Sequence, residues 1–518
     1  MRSHTRSLVP GLGVSFRVLK GLLGLASVLY AVLPAGAAEW FVDGAACPSV
    51  GSGTLADPFC SIQHAVDVAG VGDSVWVAAG AYVTTSRRAI VVLGMQDEIE
   101  AVLFMKSGVA VHGAGPALSI LDAGGRATVV VADGCDAAAR LSGFTLRGGG
   151  PGGTLGFDFG DGIFVSGGAP DLADLEITAI EGGFGAVDIL GPAAPHLLRV
   201  SVHDNGSSAP LSAALLVTGP ASPVFDSCLI DGNRGSESGG LFSADSMVSL
   251  LNCVVAGNVG QAGGGVRLAG GPTALLESST LAANTSGTAG AGLRLESASA
   301  SVRDCIVASN RTLSGQVGGV YADGGSRVVI DHTDTHGNLG GDYQTRLDPT
   351  GTDGNISQDP LFRNLQTLDL RLVEGSAAID AAGPLAPSLD ATGAARPLDG
   401  DRDGLAASDL GAFEFDRWDV RGLEADSQPF HIVWTPLPEA GGYQVYRGGV
   451  AALALGDYGD CLSPEGDLTT VRFDDPASPV PGEGWFYLVT ARVGGTIGTL
   501  GFDSAGLERR RRAGESCP

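Results

Sequence analysis

Short apolar segments recur along residues 160–340, and each places a small residue before an apolar–x–apolar triplet. Gly265-Val266-Arg267-Leu268 and Gly292-Leu293-Arg294-Leu295 are two examples. Because side chains alternate across a strand, each triplet predicts a strand with two residues turned inward and the middle one outward. The segments are short, β-branched and punctuated by glycine, so the pattern predicts strands and not helices.

An asparagine recurs in phase with these triplets, every 25 to 28 residues. The six positions are Asn205, Asn233, Asn258, Asn284, Asn310 and Asn338. A period in this range is typical of a stacked repeat array. Asparagine tolerates the left-handed backbone region, and its amide both donates and accepts hydrogen bonds. We therefore predict one asparagine per coil, in a tight turn and bonded to the next, which is the arrangement of a parallel β-helix.

On either side of the repeat, the chain has a different pattern of apolar and polar residues. Residues 61–69 place Ile62, Ala65, Val66 and Ala69 on one face of a predicted amphipathic helix. A solenoid exposes an apolar end, and we expect this helix to cover it. Residues 340–416 are acidic and rich in turn residues, and alternating Tyr and Trp positions after residue 420 predict a small antiparallel β-sandwich.

Residues 41–345 resemble the right-handed parallel β-helix proteins of the pectate-lyase-like superfamily, including a cap that begins at Phe41-Val42-Asp43. Residues 359–415 resemble the choice-of-anchor Q region, through Asp359-Pro360-Leu361-Phe362 and Asp409-Leu410-Gly411-Ala412-Phe413-Glu414. Residues 420–517 resemble a fibronectin type III-like module. These resemblances imply a bacterial extracytoplasmic protein, and they imply no particular reaction because the superfamily contains several enzyme classes and non-enzymes.

The predicted organisation has four parts. Residues 1–38 are a signal peptide, because a basic start precedes a short apolar core and Ala35-Gly36-Ala37-Ala38. Residues 39–345 are the right-handed parallel β-helix with its N-terminal cap helix. Residues 346–417 are the choice-of-anchor Q-like region, expected to cap the C-terminal end. Residues 418–518 are the small antiparallel β-sandwich. We expect a secreted or cell-surface location with no membrane span in the mature chain.

The formal net charge of −26 disfavours nucleic acid and anionic membranes as partners. The eight cysteines fit an oxidising compartment. We expect Cys47 to pair with Cys60 across a small loop, and Cys461 with Cys517. Cys228, Cys253 and Cys305 share one phase of the repeat, which predicts an inward stack of small side chains.

The middle residues of the triplets predict an outward stripe along one sheet. Its members are Phe164, Asp188, Leu216, Phe242, Arg267, Arg294 and Tyr321. Aromatic rings stack on sugars, and arginine pairs with carboxylated sugars. One interpretation is a glycan groove formed by Phe164, Phe242, Arg267, Arg294 and Tyr321, with the two arginines as an anion clamp. The other is an ordinary sheet surface partly covered by loops. Adjacent arginines repel each other unless an anion or a carboxylate such as Glu296 lies between them.

Catalysis has candidate residues but no complete signature. A polysaccharide lyase needs a base and a cation near the uronate carboxylate, and Asp188, Arg267 and Arg294 are the candidates. A glycosidase needs close carboxylates, and Asp158, Asp161 and Asp188 are candidates if the Gly-rich insertion folds over the stripe. In the competing interpretation, Asp158 and Asp161 are ordinary turn residues in a loop.

A calcium loop is predicted at residues 399–404. Asp399, Asp401 and Asp403 followed by Gly404 match the start of an EF-like loop, although Leu410 stands where that loop has Glu. Asp409 is adjacent and completes the predicted ligand set, and the alternative is an acidic turn. Together, these patterns favour a secreted protein that binds extracellular or cell-surface glycan. The alternatives are a lyase or glycosidase acting on acidic polysaccharide, and a structural spacer or adhesin-like protein.

Overall fold

A computed structural model describes residues 37–497, except 93, 151–160, 208, 347, 402, 417–423, 428–429, 435, 438–439, 450–458, 464–467, 476, 478–484 and 494–495. The predicted signal peptide (apart from residues 37–38), Asp158 and Cys517 lie outside these residues. The chain winds into a parallel β-helix, as predicted. A typical coil passes from Val266–Ala269 through Ala274–Glu277 and Thr280–Ala282 to Thr285–Ser286, and it returns at Leu293–Glu296.

Sheet 1 carries the outward stripe and has eleven strands. Successive strands are parallel apart from the first, which forms an antiparallel hairpin with the second. In sheet order they are Ser86–Val92, Met95–Phe104, Thr128–Asp133, Ile163–Gly168, Gly185–Ala193, Ala213–Thr218, Leu241–Ala244, Val266–Ala269, Leu293–Glu296, Val320–Ala322 and Tyr343–Gln344.

Sheet 2 has eighteen strands, because most coils contribute two strands separated by a bend. The bend has a positive φ, as at Ser227, Ser278 and Asp304. In chain order the strands are Glu39–Val42, Ser74–Val77, Gly80–Tyr82, Ala110–Gly113, Ser119–Asp122, Arg140–Arg147, Asp171–Thr178, His196–His203, Val224–Asp226, Leu229–Asp231, Ser249–Leu251, Val254–Ala256, Ala274–Glu277, Thr280–Ala282, Ser299–Arg303, Ile306–Ala308, Arg327–Asp331 and Asp334–His336.

The six asparagines form a continuous ladder beside a third, four-stranded sheet, which we call sheet 3. Each side-chain amide from Asn205 to Asn310 donates to the side-chain oxygen of the next asparagine at 2.9–3.1 Å. Asp342 ends the ladder by accepting from Asn338 at 2.8 Å. The asparagines are not themselves left-handed, contrary to our expectation: the positive φ belongs to the residue before each of them, such as Ala283 or Ser309. Sheet 3 consists of Arg234–Gly235, Val259–Gly260, Thr285–Ser286 and Arg311–Thr312.

The N-terminal cap is the predicted helix, Ile62–Val68. The Ser61 side chain accepts from the backbone N–H of His64, and Ile62, Ala65 and Val66 are buried. These three belong to the same apolar core that runs along the coils to Ile330. A short 3-10 helix, Gly44–Ala46, precedes the cap, and the predicted Cys47–Cys60 disulfide joins the two ends of the loop between them.

Residues 353–357 and residues 362–415 pack against different parts of the β-helix. Ile356 pairs with Asp334, so residues 353–357 add a partial rung at the C-terminal end of the helix. Residues 362–415, which we call the docked segment, instead pack along the outer face of sheet 2. Leu370 and Ala412 contact the row of Val254, Ala256 and Ala282. The docked segment contains the hairpin Phe362–Asn364 and Asp369–Leu372 and the 3-10 helix Leu365–Thr367. Residues 353–357 thus lie at the C-terminal end of the coils, and the docked segment lies along sheet 2.

A small antiparallel β-sandwich follows, as predicted. One sheet contains Glu424–Ser427, Phe430–Val433 and Arg472–Asp474, and the other contains Asp460–Cys461, Gly442–Gly449, Trp485–Val493 and Thr496–Ile497. Ile432, Trp434, Tyr443, Val445 and Val489 form its core. Cys461 is disulfide-bonded, and its predicted partner Cys517 lies outside the described residues. Within the described ranges, no helix combines the length and the apolar character needed to cross a bilayer.

Candidate functional site on sheet 1

The outward stripe exists in the predicted register. Phe164 pairs with Asp188, and the pairing continues strand by strand through Leu216, Phe242, Arg267 and Arg294 to Tyr321. The alternation of side chains explains this arrangement, because the neighbours of Arg267 in its strand, Val266 and Leu268, are buried in the core. One row of outward-turned side chains therefore joins seven successive coils.

The N-terminal part of the stripe is covered. Phe164 is fully buried beneath the hairpin of Ser86–Val92 and Met95–Phe104, where it packs with Ile90 and Phe104. Asp161 and Asp188 are buried as well. Phe242 is 7% exposed and packs against Leu216. Phe164 and Phe242 thus serve as packing residues in this conformation, and the face that a sugar could reach begins at Arg267.

Glu296 joins the two arginines of the stripe. Its Oε2 accepts from Arg267 Nε and Nη2 at 2.9 and 2.6 Å, and its Oε1 accepts from Arg294 Nε and Nη2 at 3.0 and 2.6 Å. Arg267 also forms an ion pair with Glu237. Burial alone would raise the pKa of Glu296, but the hydrogen bonds from Arg294 and Arg267 outweigh it and hold that pKa below its ordinary value.

The two guanidinium groups also lie over aromatic rings. Arg267 Cζ is 4.8 Å from the centroid of Phe242, and Arg294 Cζ is 5.1 Å from that of Tyr321. Arg294 Nη1 donates to the Thr288 hydroxyl at 2.7 Å and to the Ala289 carbonyl at 3.0 Å. Two arginines and two glutamates give this patch no formal net charge. We call Glu237, Arg267, Arg294, Glu296 and Tyr321 the neutral patch.

A second polar group, on the uncovered part of sheet 2, was missed by the sequence analysis. His203 contacts carboxylates through both ring nitrogens: Nε2 lies 3.1 Å from Glu176 Oε1, and Nδ1 lies 3.1 Å from Asp204 Oδ2. The Thr145 hydroxyl donates to Glu176 at 2.7 Å. Burial lowers the pKa of His203, but the hydrogen bonds that the imidazole donates to Asp204 and Glu176 outweigh it and leave that pKa raised.

Asp231 lies directly opposite His203 on the next strand. Burial raises the pKa of Asp231 to about 6, and Asp204 adds to the rise while His203 opposes it. One available sequence signal was that Glu176, His203 and Asp231 occupy outward positions on three successive coils. The pKa of about 6 for the Asp231 carboxyl is well above the value of about 3.9 that is usual for an exposed aspartate.

The predicted calcium ligands separate into two places. Asp399 and Asp401 join Asp380, which the sequence analysis missed, in a cluster whose oxygens lie within 4.8 Å of one another. Burial raises the pKa of Asp380 and outweighs the lowering by hydrogen bonds from the backbone N–H groups of Asp401 and Ala407, while the charge of the Asp401 carboxylate acts in the same direction as burial. Such a set of hard oxygen donors suits Ca²⁺. Asp403 lies outside this cluster and accepts from the Leu405 N–H.

Asp409 is buried elsewhere, where it accepts from the backbone N–H groups of Asp380 and Phe415. The neighbouring Glu414 is paired with the fully buried side chain of Arg396. Burial raises the pKa of Asp409 well above its ordinary value, and the Glu414 charge acts in the same direction. Asp409 therefore holds the docked segment together and does not face the cluster of Asp380, Asp399 and Asp401.

The three cysteines of the repeat, Cys228, Cys253 and Cys305, are buried free thiols inside the coils, as predicted. Burial raises the pKa of the Cys305 thiol to about 12. Cys253 donates to the carbonyl oxygen of Leu251 at 3.2 Å. All three pack as small core residues, and the Cys305 thiol, with so high a pKa, is a poor nucleophile and a poor metal ligand.

The sheets define a parallel β-helix protein. No protein-family model matches the chain, and no curated protein matches it. Among solved structures, "Crystal structure of pectate lyase Pel9A" is similar at 14% identity and a TM-score of 0.40, covering 74% of this chain and 97% of that one. "The complex structure of XylC with xylose" is similar at 11% identity and a TM-score of 0.29, covering 73% and 98%. At these scores neither structure bears on the function of this chain.

Proposed function

We propose that this is an extracytoplasmic protein that binds an uncharged polysaccharide on sheet 1, at the neutral patch. The observation that carries the proposal is the position of Glu296 between Arg267 and Arg294. Both arginines have a carboxylate partner, so the patch presents hydrogen-bonding groups and an aromatic ring without excess positive charge. A neutral sugar chain suits such a surface, because it can hydrogen-bond to paired charged groups and stack on Tyr321.

The same geometry argues against a uronate-cleaving lyase. The Arg294 guanidinium is engaged by Glu296, Thr288 and the Ala289 carbonyl, so it is poorly suited to act as a base. The formal charge of −26 also opposes a polyanionic substrate. A secreted location agrees with the Cys47–Cys60 disulfide and with the free thiols being confined to the core among the described residues.

We also propose that Asp380, Asp399 and Asp401 hold a structural Ca²⁺. Calcium would tie residues 399–401 to Asp380, whose Oδ2 already accepts from the Asp401 N–H. The proposed role is to stabilise the docked segment, and the cluster lies apart from the neutral patch.

Affinity electrophoresis of the full-length protein in gels containing xylan, arabinan, galactan, mannan or polygalacturonate tests the polysaccharide proposal. We expect at least one neutral polymer to retard the protein and polygalacturonate not to. Tyr321→Ala should weaken that binding about 3- to 10-fold, the range expected for the loss of one aromatic contact. Trp76→Ala is the matched control, because Trp76 is exposed on sheet 2. Mobility unchanged by every neutral polymer would leave the structural spacer as the better account.

A further inference from the structure

A cavity of about 540 Å³ lies at the C-terminal end of the β-helix. Its walls come from the strand Val320–Ala322 of sheet 1, the strand Arg327–Asp331 of sheet 2, and Thr345, Arg346 and Pro349 later in the chain. Its volume is within the range of about 300–1,000 Å³ that is typical of small-molecule sites.

One side of the cavity is apolar. Ala322, Val328 and Ile330 face inward on the last coil, and they continue the core of the solenoid. Pro349 adds an apolar surface from the later chain. At the other end of the solenoid the helix Ile62–Val68 fills the corresponding place. The C-terminal coil is covered less completely, and this leaves apolar side chains accessible to a ligand.

Two arginines, Arg327 and Arg346, line the same cavity. Most arginines that the structure describes form ion pairs with carboxylates. These are Arg87, Arg88, Arg140, Arg147, Arg199, Arg267, Arg294, Arg303, Arg363, Arg371, Arg396, Arg447 and Arg472. Within the described part of the chain, the Arg327 side chain makes no hydrogen bond or ion pair, and the Arg346 side chain donates only to the Gly324 carbonyl, at 3.2 Å.

One carboxylate, that of Asp323, also lines the cavity. Its oxygens accept from the Ser326 hydroxyl at 2.7 Å and from the backbone N–H groups of Ser297 and Gly325 at 3.0–3.1 Å. Two guanidinium groups and one carboxylate leave the lining with a formal charge of +1. In a chain of net charge −26, a cavity that keeps two arginines without carboxylate partners is suited to an anion.

We propose that this cavity is a binding site for a small amphiphilic carboxylate, a molecule with an apolar body and one anionic group. The apolar body would lie against Val328, Ile330 and Ala322, and the carboxylate would pair with Arg327 and Arg346. The site is separate from the neutral patch, and the proposal does not depend on polysaccharide binding. Arginine recognises a carboxylate through two parallel hydrogen bonds, which gives the anionic group a defined place.

Displacement of the fluorescent anion 8-anilinonaphthalene-1-sulfonate tests this site on the full-length protein. We expect trans-cinnamate to displace the probe, and the neutral cinnamamide of nearly the same shape to bind at least about tenfold more weakly. The double variant Arg327→Gln, Arg346→Gln should lose about tenfold or more in cinnamate affinity. Equal affinities for cinnamate and cinnamamide would overturn the proposed ligand class.

The control is the double variant Arg234→Gln, Arg311→Gln, because these arginines are exposed on sheet 3 and pair with no carboxylate among the described residues. It should bind cinnamate as the wild type does. Val328→Phe provides a test independent of charge, since it fills the cavity from its apolar side and should block cinnamate while leaving both arginines in place. Thermal unfolding shows that each variant is folded. Cinnamate binding that survives both Val328→Phe and the loss of Arg327 and Arg346 would overturn the site.

Discussion

The side-chain amide of Asn258 donates to the side-chain oxygen of Asn284 at 3.1 Å, and the backbone N–H of Asn258 donates to the same oxygen at 3.0 Å. Asn284 in turn donates to the Val255 carbonyl at 2.8 Å. Asn284 also donates to the side-chain oxygen of Asn310 at 3.0 Å, so one buried side chain satisfies two donors and two acceptors of neighbouring coils. A buried polar group left without its partner costs about 1–3 kcal/mol.

We predict that Asn284→Ala lowers the free energy of unfolding by about 3–5 kcal/mol, because four buried groups each lose a hydrogen bond. Urea denaturation followed by circular dichroism measures the change. Asn364→Ala is the control: that asparagine is exposed and caps a short 3-10 helix, so about 1 kcal/mol is expected. Equal losses for the two variants would show that the ladder adds little to stability.

Glu296→Gln should convert the neutral patch into a cationic one. Arg267 keeps Glu237, but Arg294 loses its carboxylate partner and the patch gains a formal charge of +1. We predict that the variant is retarded by polygalacturonate at 50 mM NaCl and much less so at 300 mM, where the added salt screens the charge. Glu100→Gln breaks a comparable Arg–Glu pair on the hairpin and should not be retarded. Retardation of both variants would indicate a nonspecific charge effect.

Asp334 should make stability depend on pH. It is fully buried, its Oδ1 accepts from the Gln358 N–H at 3.1 Å, and its Oδ2 has no hydrogen-bond partner in the described chain. Burial raises its pKa from 3.8 to about 7. At pH 3 the carboxyl is neutral in both states. Between pH 4 and 7 only the unfolded state ionises, so the stability that Asp334 contributes falls as pH rises and becomes constant above pH 7.

We therefore predict that Asp334→Asn has little effect at pH 4 and stabilises the protein at pH 8 by up to about 4 kcal/mol relative to the wild type, since each pKa unit corresponds to about 1.4 kcal/mol. Urea titrations at the two pH values measure the difference. Asp331→Asn, at a partly exposed neighbour paired with His332, should show no such increase between them. A constant difference between Asp334→Asn and wild type across this range would contradict the prediction.

Calcium should stabilise the protein through Asp380, Asp399 and Asp401. With 1 mM Ca²⁺ and a Kd of about 0.1 mM, the gain is about 1.4 kcal/mol, visible as a rise in Tm that EGTA reverses. Asp401→Asn should abolish the rise. Asp403→Asn should retain it, because Asp403 lies outside the cluster. The proposal fails if Ca²⁺ leaves the Tm of the wild type unchanged.

The features that sequence predicted well are those that repeat. The register from Phe164 to Tyr321 and the asparagine ladder follow from strand alternation and a constant period, which are local properties of the chain. The cap helix follows from its own apolar spacing. Each of these could be deduced because neighbouring coils repeat the same relationship many times.

The features that sequence could not predict depend on contacts between distant parts of the chain. Val254 and Ile306 face outward from the coils and pack against the docked segment, and the repeat pattern does not reveal what covers them. Asp380 joins Asp399 and Asp401 because the docked segment folds back on itself, and the EF-like spacing gave no hint of it. The burial of Phe164 likewise depends on a hairpin more than 60 residues earlier in the chain.

Across the docked segment, the Ala412 N–H donates to the Thr280 hydroxyl and the Gly383 N–H donates to Asp304, contacts that link residues 132 and 79 positions apart. A solenoid without such links can fray one coil at a time from either end, because each coil touches only its neighbours. Here the coils between Leu229 and Ala308 cannot open until the later chain has detached. During synthesis, the outer apolar row of these coils also stays incompletely covered until the ribosome has released residue 412.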